Sequence, residues 1–306
     1  MDFLIVILFI FLLIETFINK ALIANTISFS LKLFVDSIIP SMFLVFVISD
    51  VLINYHITNY IPRIVKKTFM FLFNVSEEVV TVFFLSLLSG FPNGARIIRT
   101  LYLNGTISKI DANRALLFTH FSNPIFILSI VGILFLHNEK YGFIILISHY
   151  MGNIIIGIIS RFFCSSNSLD YTKKCVKSQS FSKIFVSAVK RSIDTLLSIL
   201  GFVTIFLIMA SIIVNRFNFN IYTAAIIKGV LEITMGLKSI ADLDILDIYK
   251  VVSSSVIISF GGLSVHLQIL EQIMDTDLSY HLFFVTRIIH ATISGVICYG
   301  LFCLLV

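Results

Sequence analysis

Long apolar runs separated by short polar segments make up almost the whole chain. Runs at 3–18, 38–53, 141–163, 193–214 and 281–306 approach the roughly 20 residues that cross a bilayer as a helix. Hydrophobic residues account for 58% of the 306 residues, a composition that excludes a soluble globular protein. The pattern predicts an all-α polytopic membrane protein with about six transmembrane helices, one of them interrupted.

A cluster of helix-breaking residues separates two short apolar runs, 79–88 and 95–103. Gly90 and Gly94 tolerate backbone angles that other residues avoid, and Pro92 lacks a backbone donor. Neither run is long enough to span a bilayer alone. We therefore predict a re-entrant helical hairpin whose tip is packed in protein or lines a wet cavity, because a bare turn would leave amides unpaired in lipid.

Two further interruptions follow. A helix that begins at the capping pattern of Ser108 runs into the polar stretch 119–124, which predicts a broken transmembrane helix. Later, the stretch 260–264 separates two short apolar runs, 251–259 and 265–274. It predicts a second re-entrant hairpin.

The order of these features repeats along the chain. Ser108 and Ser279 follow the two predicted hairpins at positions 171 residues apart (279 minus 108), and Arg114 and Arg287 come soon after each. If the segment 221–237 does not cross the membrane, as we expect, the two halves are inverted repeats of the kind that form a binding site at the membrane midplane. If that segment does cross, the repeats are parallel.

Charge placement sets the predicted orientation and division of the chain. The segment 164–192 is rich in lysine and arginine and is predicted to be cytoplasmic. The run at 3–18 lacks a positive start and a convincing cleavage site, so a transmembrane helix is favoured over a signal peptide. The predicted parts are a transmembrane and an interfacial helix (1–37), the first repeat with its tip near 90–94 and an extra span (38–163), the basic loop (164–192), and the second repeat with its tip near 260–264 (193–306).

Residues at the interruptions are the candidates for binding a solute, because paired broken helices form the binding sites of many transporters. They also offer helix N-termini, which favour anions. The candidates are Gly90, Pro92, Asn93, Gly94, Arg114, Ser122, Asn123, Glu232, Gly261, Gly262, Ser264, Gln268 and Arg287.

The charged candidates have competing structural interpretations. Arg114 and Arg287 suit a carboxylate by bidentate pairing, but each could instead reach the lipid headgroups. Glu232 could take up a proton, although a structural pair with Lys228 is the favoured interpretation. The histidines His120, His266 and His290 suit packing better than proton relay.

Several functional classes are not expected. Cys164, Cys175, Cys298 and Cys303 are scattered without ligand spacing, so we predict neither a metal site nor a disulfide framework. The chain has no HExxH or GxSxG motif, so no catalytic residue, enzyme activity or cofactor is predicted. The basic residues lie between apolar segments, which indicates contact with membrane lipid and not with nucleic acid. Formation of a homo-oligomer is left open.

Four motifs carry a family resemblance. GFPNGARI, FTHFSNPIFI, GVLEITMG and SFGGLSVHLQ, taken in this order, resemble the sporulation integral membrane proteins of the YlbJ type, within the broader nucleoside-recognition or gate domain group. The resemblance extends from about Pro40 to His290. Phe91 replaces an expected tyrosine, and His120 and Asn123 replace an expected asparagine and glycine.

The resemblance implies a role in spore formation. It implies a transporter of a small anionic metabolite, such as dipicolinic acid, in a plasma-type bacterial membrane that surrounds the developing spore. Two alternatives remain open: a gate-domain transporter of nucleosides, and a membrane assembly component of sporulation that transports nothing.

Overall fold

A computed structural model describes residues 2–162 and 180–306, and all the regular structure in these ranges is helical. Five helical segments are long and apolar enough to cross a membrane: Lys20–Asn54, Glu139–Ser160, Phe181–Phe217, Asp247–Ile273 and Tyr280–Leu305. A bent pair, Arg63–Phe73 with Glu77–Ser89 at 94°, makes a sixth if it is one span. The prediction of an all-α integral membrane protein with about six spans is confirmed.

The helices are named here in chain order. They are α1 (Asp2–Ile18), α2 (Lys20–Leu33), α3 (Ile39–Asn54), α4 (Arg63–Phe73), α5 (Glu77–Ser89), α6 (Asn93–Leu103), α7 (Lys109–Phe118), α8 (Glu139–Ser160), α9 (Phe181–Phe217), α10 (Ile221–Leu231), α11 (Ile233–Ala241), α12 (Asp247–Phe260), α13 (Gly262–Ile273) and α14 (Tyr280–Leu305). A π-helical segment, Phe126–Phe135, lies between α7 and α8. Most of the predicted basic loop lies outside the described residues, and its last part is already helical because α9 begins at Phe181.

The prediction of a separate interfacial helix at 25–36 is wrong. Helices α2 and α3 form one continuous 35-residue segment joined by a π-helical turn, Phe34–Ile38. This wider turn comes just before Pro40, whose ring would clash with the carbonyl of Asp36 in a regular α-helix. Pro40 therefore widens the helix locally and does not end it. Helix α1 is apolar but only 17 residues long.

The first predicted hairpin is present as two short helices joined at 90–92. Gly90 has a φ of +75°, and a Cβ placed on Gly94 would lie 2.6 Å from Ser86 Oγ. The start of α6 therefore packs on the end of α5. With 13 and 11 residues, neither helix reaches the length of a span.

The prediction of a second re-entrant hairpin at 260–264 is wrong. Gly261 and Gly262 have φ values of +97° and +60°, which interrupts the helix. The chain does not turn back there, and Asp247–Ile273 forms a single segment of spanning length. Two glycines without a proline break the hydrogen-bond ladder but leave α12 and α13 in one segment.

A tight hairpin occurs instead at Glu232, which separates α10 from α11. The two helices pack along their length, and a Cβ on Gly236 would lie only 2.1 Å from the Cα of Gly229. This close approach requires glycine at 236, whereas a Cβ on Gly229 would meet the side chain of Ile257 at 2.7 Å. As expected, the segment 221–237 does not form one membrane-crossing helix.

The internal repeat is visible in the order of the helices. Helices α4 to α7 recur as α11 to α14, and Ser108 and Ser279 cap α7 and α14. Each serine Oγ accepts from the backbone N–H three residues on, at 2.7 Å from Asp111 and 3.3 Å from Leu282. The corresponding helices α6 and α13 pack together, as do α7 and α14. The inverted orientation of the two halves stays a prediction.

Polar contacts join the two halves at the loop before α14. Arg99 of α6 forms a bidentate ion pair with Asp275, and Lys109 Nζ lies 2.8 Å from Asp277. The hydrogen bond from Arg99 holds the pKa of Asp275 below its usual range, and that from Lys109 lowers the pKa of Asp277.

The contact between Gly229 and Gly236 provides a test of the fold. We expect Gly236→Ala to lower the free energy of unfolding by about 1–3 kcal/mol, because the new methyl group meets backbone atoms that cannot move aside. The measurement is the thermal unfolding midpoint in detergent. Gly201→Ala is the matched control, since a Cβ there meets nothing within 4 Å and alanine favours a helix. Equal midpoints for the two variants would contradict the hairpin.

Candidate solute-binding site

The four helix interruptions, at 90–92, 119–124, 232 and 261–262, meet around one buried cavity. This central cavity has a volume of about 50 Å³. Its polar lining consists of Ser122, Glu232, Thr234 and Gln268, and its aromatic lining consists of Phe91 and Phe126. Three of the interruptions contribute the lining residues Phe91, Ser122 and Glu232. The fourth, at 261–262, is followed by α13, which contributes Val265 and Gln268.

The first two interruptions bind one another through the backbone. Phe91 N donates to Phe121 O at 2.8 Å, and a Cβ on Gly90 would lie 2.6 Å from Asn123 N. Asn123 donates from Nδ2 to Ser41 O at 3.1 Å and accepts at Oδ1 from Ile125 N at 2.8 Å. Asn123 therefore fixes this junction and does not line the cavity.

The other two interruptions close the opposite side. A Cβ on Gly262 would lie 3.3 Å from Gly229 O, at the tip of the hairpin between α10 and α11. A Cβ on Gly261 would lie 3.4 Å from His120 Nε2, and the His120 ring stacks on Phe91 at 4.8 Å between centroids. Both glycines have a positive φ, which glycine adopts without strain, and neither has a side chain to offer a solute.

Several polar side chains at the site have no hydrogen-bond partner. The buried hydroxyls of Ser122 and Ser264 are unpartnered, and Ser122 lines the cavity. Gln268 is 2% exposed, lines the cavity, and makes no hydrogen bond within the described residues. A buried polar group without a partner is costly. These groups are therefore ready to bind a polar solute or water.

Glu232 lies at the tip of the hairpin and lines the cavity. Its Oε2 accepts a hydrogen bond from Met235 N at 2.9 Å and so caps α11. Lys228 instead donates from Nζ to Ser239 Oγ at 3.3 Å. The predicted pair between Glu232 and Lys228 is wrong, because Lys228 points along the outside of the hairpin to α11.

Arg287 is completely buried one layer behind the cavity. It donates to Leu117 O, to Asn153 Oδ1 at 3.2 Å and to His290 Nδ1 at 2.9 Å, and its Nε is unpartnered. No ion pair among the described residues includes Arg287. Its charge is therefore neutralised only by dipoles.

A chain of hydrogen bonds connects Arg287 to Ser122. His290 accepts from Arg287 at Nδ1, so its Nε2–H donates to His149 O at 2.9 Å. His149 Nε2 accepts from Ser122 N at 2.9 Å, so its Nδ1–H donates to Ser259 Oγ at 2.9 Å. In each histidine, the ring nitrogen that accepts a hydrogen bond carries no proton, so the other ring nitrogen is the donor. The connection indicates that the histidines position the backbone around the cavity.

Arg114 is not brought to the cavity. Its guanidinium donates to Phe73 O and Asn74 O and so caps the C-terminus of α4. Arg114 is also buried, so it does not reach lipid headgroups.

The remaining candidates support the first interruption. Asn93 is buried, donates to Ser89 Oγ at 2.9 Å and accepts from Arg96 Nη2 at 2.6 Å. Pro92 O accepts from Arg96 N at 3.2 Å. Gly94 packs against Ser86. Arg96 also contacts Asp50, at 3.1 Å from Nη2 to Oδ1, and not Asp111.

Two larger cavities flank the central one. One, of about 320 Å³, is lined by Lys32, Asp36, His137 and Lys238, and it shares Thr234 with the central cavity. The other, of about 370 Å³, is lined by Asp50, Arg96, Arg191 and Glu271, one helical turn beyond Gln268. On that side Asp50 bridges Arg96 of α6 and Arg191 of α9, with 3.1 Å to each. The central cavity therefore adjoins two wider spaces, each of which has charged residues in its lining.

Sequence analysis missed His149, Asn153 and the hairpin at Glu232. His149 and Asn153 lie in a span that reads as ordinary, although polar residues inside a span are a functional signal. The pair Gly229 and Gly236, symmetric about Glu232 to within one residue, is the signal for the hairpin. Among the described residues no cluster of His, Cys, Asp or Glu could hold a metal ion.

Comparison with known proteins agrees with the motif analysis. No family model matches the chain, and no solved structure matches it significantly. The chain is 24% identical over 302 residues to the sporulation integral membrane protein YlbJ of Bacillus subtilis (strain 168), covering 87% of this chain and 74% of that protein. The resemblance to the YlbJ-type sporulation membrane proteins, drawn first from four short motifs, is thereby confirmed over most of the chain.

Proposed function

We propose that this protein transports a small anionic metabolite, of the dipicolinic acid kind, across a membrane that surrounds the developing spore. The observation that carries the proposal is the meeting of four helix interruptions at one buried cavity with unpartnered polar groups. Discontinuous helices of this kind form the substrate sites of secondary transporters. The similarity to a sporulation membrane protein supplies the setting.

Three features favour an anion. The N-termini of α6 and α13 have no side-chain cap, so their backbone N–H groups and helix dipoles favour negative charge. Ser122 and Gln268 can donate hydrogen bonds into the cavity. Arg287 adds a buried positive charge without a carboxylate partner one layer behind.

The present conformation is closed around the site. A cavity of about 50 Å³ is well below the roughly 300 Å³ of the smallest usual ligand pockets. The flanking cavities of about 320 and 370 Å³ lie on either side of it. Transport then requires the central cavity to widen and to join each flanking cavity in turn.

The first test is uptake of labelled dipicolinate into proteoliposomes that contain the purified full chain. We expect saturable uptake that unlabelled dipicolinate inhibits, with protein-free liposomes as the control. Absence of uptake by protein that is folded and inserted would contradict the proposal.

A second test uses the unpartnered groups. We expect Ser122→Ala to raise the KM for uptake about tenfold, because a hydrogen bond contributes about 1–1.5 kcal/mol. We expect Gln268→Leu to raise it at least as much. Ser254→Ala is the matched control, since it removes an equally buried and unpartnered hydroxyl from α12 away from the cavity. A similar KM for all three variants would contradict the placement of the site.

A nucleoside is the second candidate substrate. Phe91 and Phe126 could stack on a base, while Glu232 and Gln268 could hydrogen-bond its neutral polar groups. Uptake of labelled nucleosides in the same proteoliposomes distinguishes the two. An assembly protein that transports nothing would tolerate both cavity variants in spore formation.

A further inference from the structure

Glu232 is the only ionisable side chain among the described residues that line the central cavity. It is 3% exposed, and no ion pair of the described residues includes it. Its Oε2 accepts a hydrogen bond from Met235 N at 2.9 Å. The carboxyl group therefore faces the cavity without a cation to neutralise it.

Charged groups on the neighbouring elements are directed elsewhere. Lys228 binds Ser239, and His266 binds Phe260 O at 3.1 Å and Tyr280 Oη at 3.1 Å. His120 stacks on the ring of Phe91 and meets the ring of Phe283 edge-on. The groups beyond Thr234, in the cavity of about 320 Å³, are Lys32, Asp36, His137, Lys238 and Asp242. The lining contributed by α3, α9 and the π-helical segment is apolar.

This arrangement conflicts with an anionic solute if Glu232 is ionised. Two carboxylates that share a small dry site repel each other, and such a site retains a proton on one of them. The donors of Ser122 and Gln268 cannot cancel two negative charges. Binding of the anion therefore requires a neutral carboxyl group at position 232.

We propose that Glu232 carries the coupling proton of this transporter. Glu232 binds one proton when the anion enters the cavity and releases it after the anion leaves, so that one proton and one solute cross together. The inference rests on the proposed function, because it concerns the same site. Thr234 lines both the central and the 320 Å³ cavity, so a proton has a short path from Glu232 to water on that side.

The test uses proteoliposomes and separates transport from coupling. Counterflow of labelled against unlabelled dipicolinate at equal pH on both sides reports transport alone. Accumulation driven by a pH gradient, acidic on the side of entry, reports coupling. With the membrane potential clamped at zero, because a dicarboxylate and one proton together still carry negative charge, one proton per solute supports at most about tenfold accumulation per pH unit. For the wild type we expect counterflow and accumulation, with no accumulation under a sodium gradient.

Substitutions at position 232 test whether Glu232 is the residue that binds the coupling proton. Gln at position 232 can still accept from Met235 N, so we expect Glu232→Gln to retain measurable counterflow at a reduced rate and to lose accumulation altogether. Glu232→Asp keeps a carboxyl group and is expected to accumulate. Glu139→Gln, at an exposed glutamate at the start of α8, is the matched control and should accumulate as the wild type does.

Binding to the wild type gives a measurement that does not depend on a variant. Dipicolinate added to weakly buffered protein at neutral pH should remove about one proton per bound molecule from solution, and a pH-sensitive dye reports this. No proton uptake, accumulation retained in Glu232→Gln, or accumulation driven by sodium would each overturn the inference. Wild-type counterflow without pH-driven accumulation would overturn the inference alone, whereas absent counterflow would overturn the proposed function as well.

Discussion

The structure depends on how backbone groups at four helix interruptions are satisfied inside a membrane protein. Water is absent from hydrocarbon, so each free N–H or C=O needs a partner from the protein. The interruptions partly satisfy one another, as when Phe91 N donates to Phe121 O. Buried side chains satisfy others: Asn153 donates to His120 O, and Arg287 donates to Leu117 O. Polar residues that look functional in the sequence are thus first needed to hold the breaks together.

The polar side chains that are not used to satisfy the backbone at the interruptions define the candidate site. Asn93, Asn123 and Arg114 have their polar groups engaged in the scaffold, whereas Ser122 and Gln268 keep unpartnered groups at the cavity. Donors that are already held beside the cavity need less ordering when a solute arrives, which favours binding. Residues of the scaffold have their polar groups paired, whereas residues of the site keep polar groups that can still form hydrogen bonds. The two kinds can be told apart only from a structure that shows every hydrogen-bond partner.

The sequence predicts the interruptions better than their geometry. Gly90 and Pro92 correctly mark the first break and Gly261 correctly marks the last, because these residues act locally on the backbone. Whether a break reverses the chain depends on packing, so the turn at 90–92 and the continued span at 261–262 could not be told apart. The hairpin at Glu232 has no glycine or proline at its tip, and its glycines matter through their contact across the hairpin. Arg114 and Arg287 hold corresponding places in the repeat, yet only Arg287 lies behind the cavity, since their partners come from distant segments.

The difference between the two halves follows from the same chemistry. Helices α4 to α7 and α11 to α14 share their order, but the break in the first half combines Pro92 with one glycine of positive φ, Gly90, whereas the break in the second half has two such glycines, Gly261 and Gly262. Proline restricts its own φ to one narrow range, whereas glycine adopts both positive and negative φ at little cost. Gly262 also lies against the hairpin that carries Glu232. The backbone at 261–262 therefore links two walls of the cavity, one lined by Val265 and Gln268 and the other formed by the hairpin tip with Glu232.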